Sequence, residues 1–315
     1  MNKLDGETIM HEKLVYIIVL NWNGRADTEE CVRSCQKATY PRFRILIVDN
    51  GSSDGSEEFL RGRFGDVEFL QTGANLGFAG GNNRGIEYAL ARGAEYIWLL
   101  NNDTVVAPEA LTELVRVFEA NGRAGIVGSK IYYHDDPDRV WFAGGWINYR
   151  RGSTGHTGEG EKDDGQFAEV REVDYITGCS LMISREAIAA VGLMDERYFL
   201  LFEEVDWNER VKASGYKVLL APGSRVWHRI SRSLGEHSAM YYYYLYRNCL
   251  LFTAKQRPLL LPCVFPRKFL EALNFYRLGK PSAARLALLG IADFFTGRLG
   301  ICRRGPAGSE AERQR

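Results

Sequence analysis

Four apolar runs in the first hundred residues each end in side chains able to bind a polar ligand. Residues 14–20 (LVYIIVL) end in Asn21-Trp22-Asn23-Gly24, and residues 44–49 (RILIVD) in Asp49-Asn50-Gly51-Ser52-Ser53-Asp54-Gly55-Ser56. Residues 67–71 precede Asn75-Leu76-Gly77-Phe78-Ala79-Gly80-Gly81-Asn82-Asn83, and residues 96–100 (YIWLL) precede Asn101-Asn102-Asp103. Each cluster alone reads as a turn and a helix cap, the ordinary use of Asn, Asp, Gly and Ser. Together they would line one edge of one sheet, which points to a shared polar site. The chemistry is not that of two common α/β sites. The glycines of 77–85 neither follow the first strand nor keep the GxGxxG spacing, and no GxxxxGK[ST] occurs.

Alternating elements have to position these clusters. Helical patterns over 26–38, 54–60, 81–91 and 108–120 separate the apolar runs, and 125–130 closes the series. Such alternation predicts a parallel, three-layer α/β sheet, whose ligands bind beyond the carboxyl ends of its strands. After residue 132 the pattern changes. Residues 150–166 read as a surface loop or hairpin tip, 173–183 as an apolar stretch interrupted by Gly178, and 203–214 as a helix. Short strands are expected at 218–220 and 226–227. From 238 to about 299 the chain reads as helical, cut into short pieces by Pro258, Pro262 and Pro266.

Composition sets the class. The 315 residues are 45% apolar and 25% charged, which excludes disordered, collagenous and low-complexity chains. Six irregularly spaced cysteines suggest neither a disulfide scaffold nor a metal cluster, and a reduced, cytoplasmic setting is expected. No secretion signal or membrane-spanning run is expected either. Net charge is zero, but residues 221–315 hold 16 Lys and Arg against 5 Asp and Glu. An acidic front and a basic, aromatic back imply different partners for the two parts.

Two segments resemble a known family. VYIIVLNWNG, ILIVDNGSSDGS, NLGFAGGNNRGI and WLLNNDT resemble the nucleotide-binding half of family 2 glycosyltransferases of the GT-A fold. The segment from TGCSLMISREAIAAVGLMDERYFLLFEEVDWNER to RVWH resembles their acceptor half, and the subgroup is that of bacterial rhamnosyltransferases. The resemblance implies an inverting, metal-dependent transfer of a sugar from a nucleoside-diphosphate donor to a hydroxyl, in the synthesis of cell-surface polysaccharide or glycolipid. dTDP-rhamnose is the first donor to test and a UDP-sugar the second. Asp49 is then the acid that reads the pyrimidine, with Asn21, Asn23, Asn75, Asn82 and Asn102 on the donor. Asp103 ends the DxD motif and binds Mg2+ or Mn2+ with His228, although Asn101 stands where the motif's first acid belongs. Gly178 lets the backbone approach the donor sugar. In FEEVD, Glu204 is the expected base, with Glu203 as the alternative register and Asp206 orienting the helix start or the acceptor.

Without the resemblance, the three acids read as a helix first turn complementing the macrodipole, and His228 as a packed histidine. A sugar-phosphate nucleotidyltransferase and a non-catalytic nucleotide-sugar binder are the alternatives. The first lacks its Gly-rich basic loop after strand one, and the second is at odds with Asp103, Glu204 and His228. The expected division is a flexible N-terminus over 1–13, a GT-A domain over 14–237, a helical extension over 238–300 and a disordered tail over 301–315. Expected partners are the donor and a hydroxyl acceptor, such as a lipid-linked glycan, with no nucleic acid. Peripheral contact with the inner membrane face would come through the C-terminal region.

Overall fold

The computed structural model describes residues 12–229 and 239–303. Most of the expected N-terminal segment and tail, and the boundary near 238, lie outside the described residues. The first half alternates as the pattern predicts: β1 (Val15–Asn21), α1 (Arg25–Cys35), β2 (Phe43–Asp49), α2 (Ser56–Arg63), β3 (Glu68–Gln71), α3 (Gly77–Ala91), β4 (Tyr96–Asn101), β5 (Thr104–Val106), α4 (Ala110–Ala120) and β6 (Ala124–Tyr133). Then follow β7 (Val140–Phe142), the hairpin β8 (Gly145–Asn148) and β9 (Ser153–His156), β10 (Arg171–Glu172), β11 (Ser180–Ser184) and α5 (Arg185–Val191). α6 (Glu203–Ala213), β12 (Lys217–His228), α7 (Ala239–Gln256), α8 (Leu261–Arg277) and α9 (Pro281–Phe295) complete the chain.

β1, β2 and β4 are continuous apolar runs because both of their faces are covered. Parallel pairing of β4, β1, β2 and β3 aligns Asn21 with Asp49, and Asp49 with Gln71. α3 lies close on this sheet. A Cβ on Gly85 would come within 2.9 Å of Ile18 and 3.0 Å of Val48, and one on Gly81 within 3.0 Å of Asn50. The helix begins at Gly77, four residues ahead of the expected start, because the glycine-rich run is its first turn rather than a loop.

The expectation of a parallel sheet needs correcting. The sheet is mixed, in the order β10-β12-β6-β11-β4-β1-β2-β3, with β11 antiparallel between β4 and β6. β11 arrives from residue 180, so the earlier strand–helix alternation carries no sign of it. The two short strands expected at 218–220 and 226–227 are one strand, β12, whose register slips between Ala221 and Arg225. Its far end pairs with β5, setting His228 opposite Thr104. A buried hydroxyl chain crosses the middle of this sheet: Trp98 Nε1 donates to Ser180 Oγ at 2.9 Å, and Ser129 Oγ lies 2.7 Å from both Ser180 and Ser224.

α7 packs onto the main core through Tyr246, Cys249, Leu250, Leu251 and Phe252. Pro266 does not break the chain as expected. It sits in the second turn of α8, where its missing N–H removes a single intrahelical bond, and the helix continues past it to Arg277, 17 residues in all.

Candidate active site

The carboxyl ends of β1 and β2 form one hydrogen-bonded shelf. Asp49 is fully buried. Its carboxylate accepts from Asn21 Nδ2 at 2.7 Å, the Ser52 backbone N–H at 2.8 Å and Gln71 Nε2 at 2.9 Å. Asn21 Oδ1 in turn accepts from Thr28 Oγ1 at 2.8 Å. Asn23 takes a left-handed backbone, φ 52°, and its Oδ1 accepts from Ser53 N–H at 2.8 Å. Asn75 Oδ1 accepts from Gly77 N–H at 2.9 Å and from Asn50 Nδ2 at 3.2 Å, fixing the start of α3. Asn102 Nδ2 donates to Thr28 Oγ1 at 3.0 Å. Asn82 is buried and donates to Phe78 O one helical turn back. These amides build the shelf, and most of their bonding is spent within it.

Beside the shelf the β5–β12 pairing creates a second feature. His228 Nε2 lies 3.1 Å from Asp103 Oδ1, and both residues are more than 90% buried. The contact is not aligned as a hydrogen bond, so Asp103 Oδ1 is buried without a hydrogen-bond partner. Burial opposes charge on His228, but the neighbouring Cys179 thiol and the Asp103 carboxylate hold its pKa up, to about 10. Trp141 packs on the imidazole with ring centres 4.6 Å apart.

The loop 177–180 joins this corner to the acids of α6. Cys179 lies beside His228, and its carbonyl accepts from Asn101 N–H at 3.0 Å. One residue earlier, the Gly178 N–H faces the Glu204 carboxylate. A Cβ on Gly178 would stand 2.7 Å from the tip of the Phe78 ring and 3.8 Å from Glu204 Cβ, so a larger residue would have to displace that ring. Asn208, one turn further along α6, holds the Ile176 backbone N–H and C=O at 3.0 Å each.

Glu203 and Glu204 differ in setting. Glu203 is 3% exposed and Glu204 partly buried, and the Oε2 atom of each has no hydrogen-bond partner. Burial raises both pKa values, and the negative charge of Glu204 raises Glu203 further. Asp206 does not belong with them. It is fully buried and accepts from Tyr198 Oη, Arg210 Nε, Lys255 Nζ and Gln256 Nε2 at 2.9–3.2 Å. With four donors on it, the expected role of orienting the acceptor is replaced by tying α6 to α7.

Sequence reasoning missed Asn208, Arg247 and Asn248. Phe199, Leu201 and Phe202, just ahead of α6, all have left-handed backbones with φ of 65–74°. Such conformations are costly for non-glycine residues and need outside support. Asn248 Nδ2 supplies it, donating to the carbonyls of Tyr198, Leu200 and Leu201 at 2.7–2.9 Å, while Arg247 holds Tyr198 O at 2.8 Å. An Arg-Asn pair inside an otherwise apolar helical stretch was the available signal.

The Glycosyl transferase family 2 profile matches residues 16–192, more than half of the chain. The chain belongs to glycosyl transferase family 2. Among relatives of this glycosyltransferase is the N-acetylglucosaminyl-diphospho-decaprenol L-rhamnosyltransferase of Mycobacterium tuberculosis. It is 26% identical over 76% of this chain and 83% of its own length. The dTDP-rhamnosyl transferase RfbF of Shigella flexneri is 28% identical over 69% of this chain and 73% of its own. A solved mannosyltransferase from Pyrobaculum calidifontis, in complex with GDP-Man and Mn2+, superposes with a TM-score of 0.58 at 13% identity. That match spans 91% of this chain and 88% of the other. The likeness confirms the GT-A fold.

The Asp103–His228 corner suits a divalent cation. Neighbouring ligands of a small octahedral ion stand roughly 3 Å apart, close to the observed 3.1 Å between Nε2 and Oδ1. Among the described residues no third His, Cys, Asp or Glu joins them. Asn101, in place of an acid, adds no charge.

Proposed function

We propose that this glycosyltransferase moves a sugar, with inversion, from a nucleoside-diphosphate donor to a hydroxyl of a lipid-linked glycan. dTDP-rhamnose is the leading donor and a UDP-sugar the second. Two rhamnosyl-transferring relatives support the donor, and one whose named substrate carries a decaprenyl diphosphate supports the acceptor class. The observation that carries the mechanism is the run Asp103–His228–Cys179–Gly178–Glu204. It sets a cation corner and a buried, unpartnered carboxylate oxygen along one loop at the sheet edge.

The shelf of Asn21, Asp49 and Gln71 seats the nucleoside, and Gly178 leaves room for the sugar. Glu204 Oε2 takes the proton of the acceptor hydroxyl as its oxygen attacks the anomeric carbon from the face opposite the diphosphate. The anomeric C–O bond breaks, and its electron pair leaves with the nucleoside diphosphate. Asp103 and His228 would hold Mg2+ or Mn2+, which neutralises charge on that leaving group. Burial and the charge of Glu204 raise the pKa of Glu203 well above the ordinary carboxyl range, which favours Glu204 as the base of the pair. The division at 238 belongs to this reading: a catalytic unit followed by an extension that braces it.

Incubation with a panel of dTDP- and UDP-sugars, with and without Mn2+ or Mg2+, tests the proposal by release of nucleoside diphosphate. Release from one donor class only, dependent on metal and increased by a lipid-linked acceptor, is expected. Donor binding without release under any condition would sink the catalytic reading and favour a binder.

A further inference from the structure

Seven large apolar side chains between residues 259 and 295 face solvent, and four of them share one face of α8. Phe269 is 40% exposed, Leu270 64%, Leu273 38% and Tyr276 47%. Their spacing of one, three and four residues places them on a single stripe. The opposite face, with Val264 and Ala272, is buried against the rest of the chain. α8 is therefore apolar on both sides, whereas a helix at a water-exposed surface should be polar outside. Arg267, Arg277 and Lys280 rim the outer stripe. All three are exposed and have no ion-pair partner among the described residues. Glu271, the helix's one acid, is held by Lys268 at 2.9 Å.

The aromatic residues of this region divide sharply. Tyr243, Tyr244 and Tyr246 are core residues, and Tyr242 and Phe275 pack on each other at 4.7 Å between ring centres. Only what remains outside needs a partner.

We infer that the outer face of α8 docks on a bilayer surface rich in anionic phospholipid. The stripe would enter the headgroup–acyl boundary, and the three cations would meet lipid phosphates. Charge decides against a second copy of the chain as the occupant. A twofold pairing through this face would bring the same cations together with no acids to answer them. Among the described residues no helix is long and apolar enough to cross a membrane, so α8 would lie on the surface.

Flotation of the full chain with vesicles tests this. Vesicles of phosphatidylglycerol and phosphatidylcholine should carry it at low salt, and phosphatidylcholine alone should not. The triple variant R267Q/R277Q/K280Q should bind the anionic vesicles more weakly by on the order of a hundredfold, and L270E/L273E should not float. These positions are exposed, so both variants should keep the wild-type circular dichroism and the wild-type release of nucleoside diphosphate in solution. No flotation at low salt, or flotation that neither variant reduces, overturns the inference. So does a concentration-dependent dimer that L270E/L273E abolishes without vesicle binding, which would make the face an interface between copies. A chain that floats yet turns over no nucleotide sugar would refute the proposed function and leave this inference standing.

Discussion

Glu203 and Glu204 are neighbours in the chain, but one is sealed in the fold while the other reaches the Gly178 loop. Glu204→Gln is nearly isosteric and cannot take the proton, so turnover should fall by roughly 10²–10⁴-fold while donor binding survives. Glu203→Gln should remain active, and the reverse pattern in steady-state kinetics would assign the base to Glu203. Because burial raises Glu204 above its ordinary 4.5, the acid limb of kcat/KM should lie above that value. Glu203 allows a second check. A carboxyl whose pKa is raised on folding favours the fold below its unfolded value, and that contribution is lost as pH rises through the folded value. Glu203→Gln should therefore raise Tm at neutral pH, and the gain should shrink toward zero as pH falls to about 4.5. A gain that grows in acid would contradict the assignment. At the cation corner, Asp103→Asn should abolish the Mn2+-dependent rise in Tm with nucleoside diphosphate and lower kcat/KM by roughly a hundredfold or more. Unchanged metal dependence would remove Asp103 from the site.

At the scale of elements, the site depends on how helices grip short loops. α6 holds Ile176 through Asn208, and α7 holds the carbonyls of Tyr198, Leu200 and Leu201, in the segment with the left-handed Phe199, Leu201 and Phe202, through Arg247 and Asn248. Asn248→Leu leaves three carbonyls without that donor, at a cost of about 1–3 kcal/mol. The loop should relax and shift the start of α6. A fall in kcat with little change in donor affinity is expected, measured by turnover alongside calorimetric donor binding. Equal losses in a donor-only binding assay would mean that the whole fold, rather than the base, had moved.

On the scale of the molecule, the C-terminal extension is packed onto the same core as the sheet. Lys255 and Gln256 complete the bonding of Asp206, and α7 contributes to the main core. Removal of residues 239–315 should strip Asp206 of two donors and expose that core. Such a truncation is expected to lose cooperative thermal unfolding, and a truncated chain that melts sharply would show the extension to be separable. The basic, aromatic character of this region, visible in composition, thus divides between core aromatics and an outer face left to meet something else.

The strands β1–β4 and β6, their order along the chain and the polar clusters at the ends of the first four were legible in sequence. Each depends on local pattern: apolar runs long enough for one strand, Asn, Asp and Gly where turns require them, and helix periodicity between. The family resemblance added roles to Asp103, Glu204 and His228 by the same local strings. What lay beyond reach was long-range pairing. β11 enters the sheet antiparallel, and β12 bulges at Ala221–Arg225 before pairing with β5, which is what brings His228 to Asp103. Asp206 sits two residues from Glu204 and carries the same charge, so no local signal separates an anchor from a base. The donors around it come from residues 198, 210, 255 and 256, and only the folded chain assembles them.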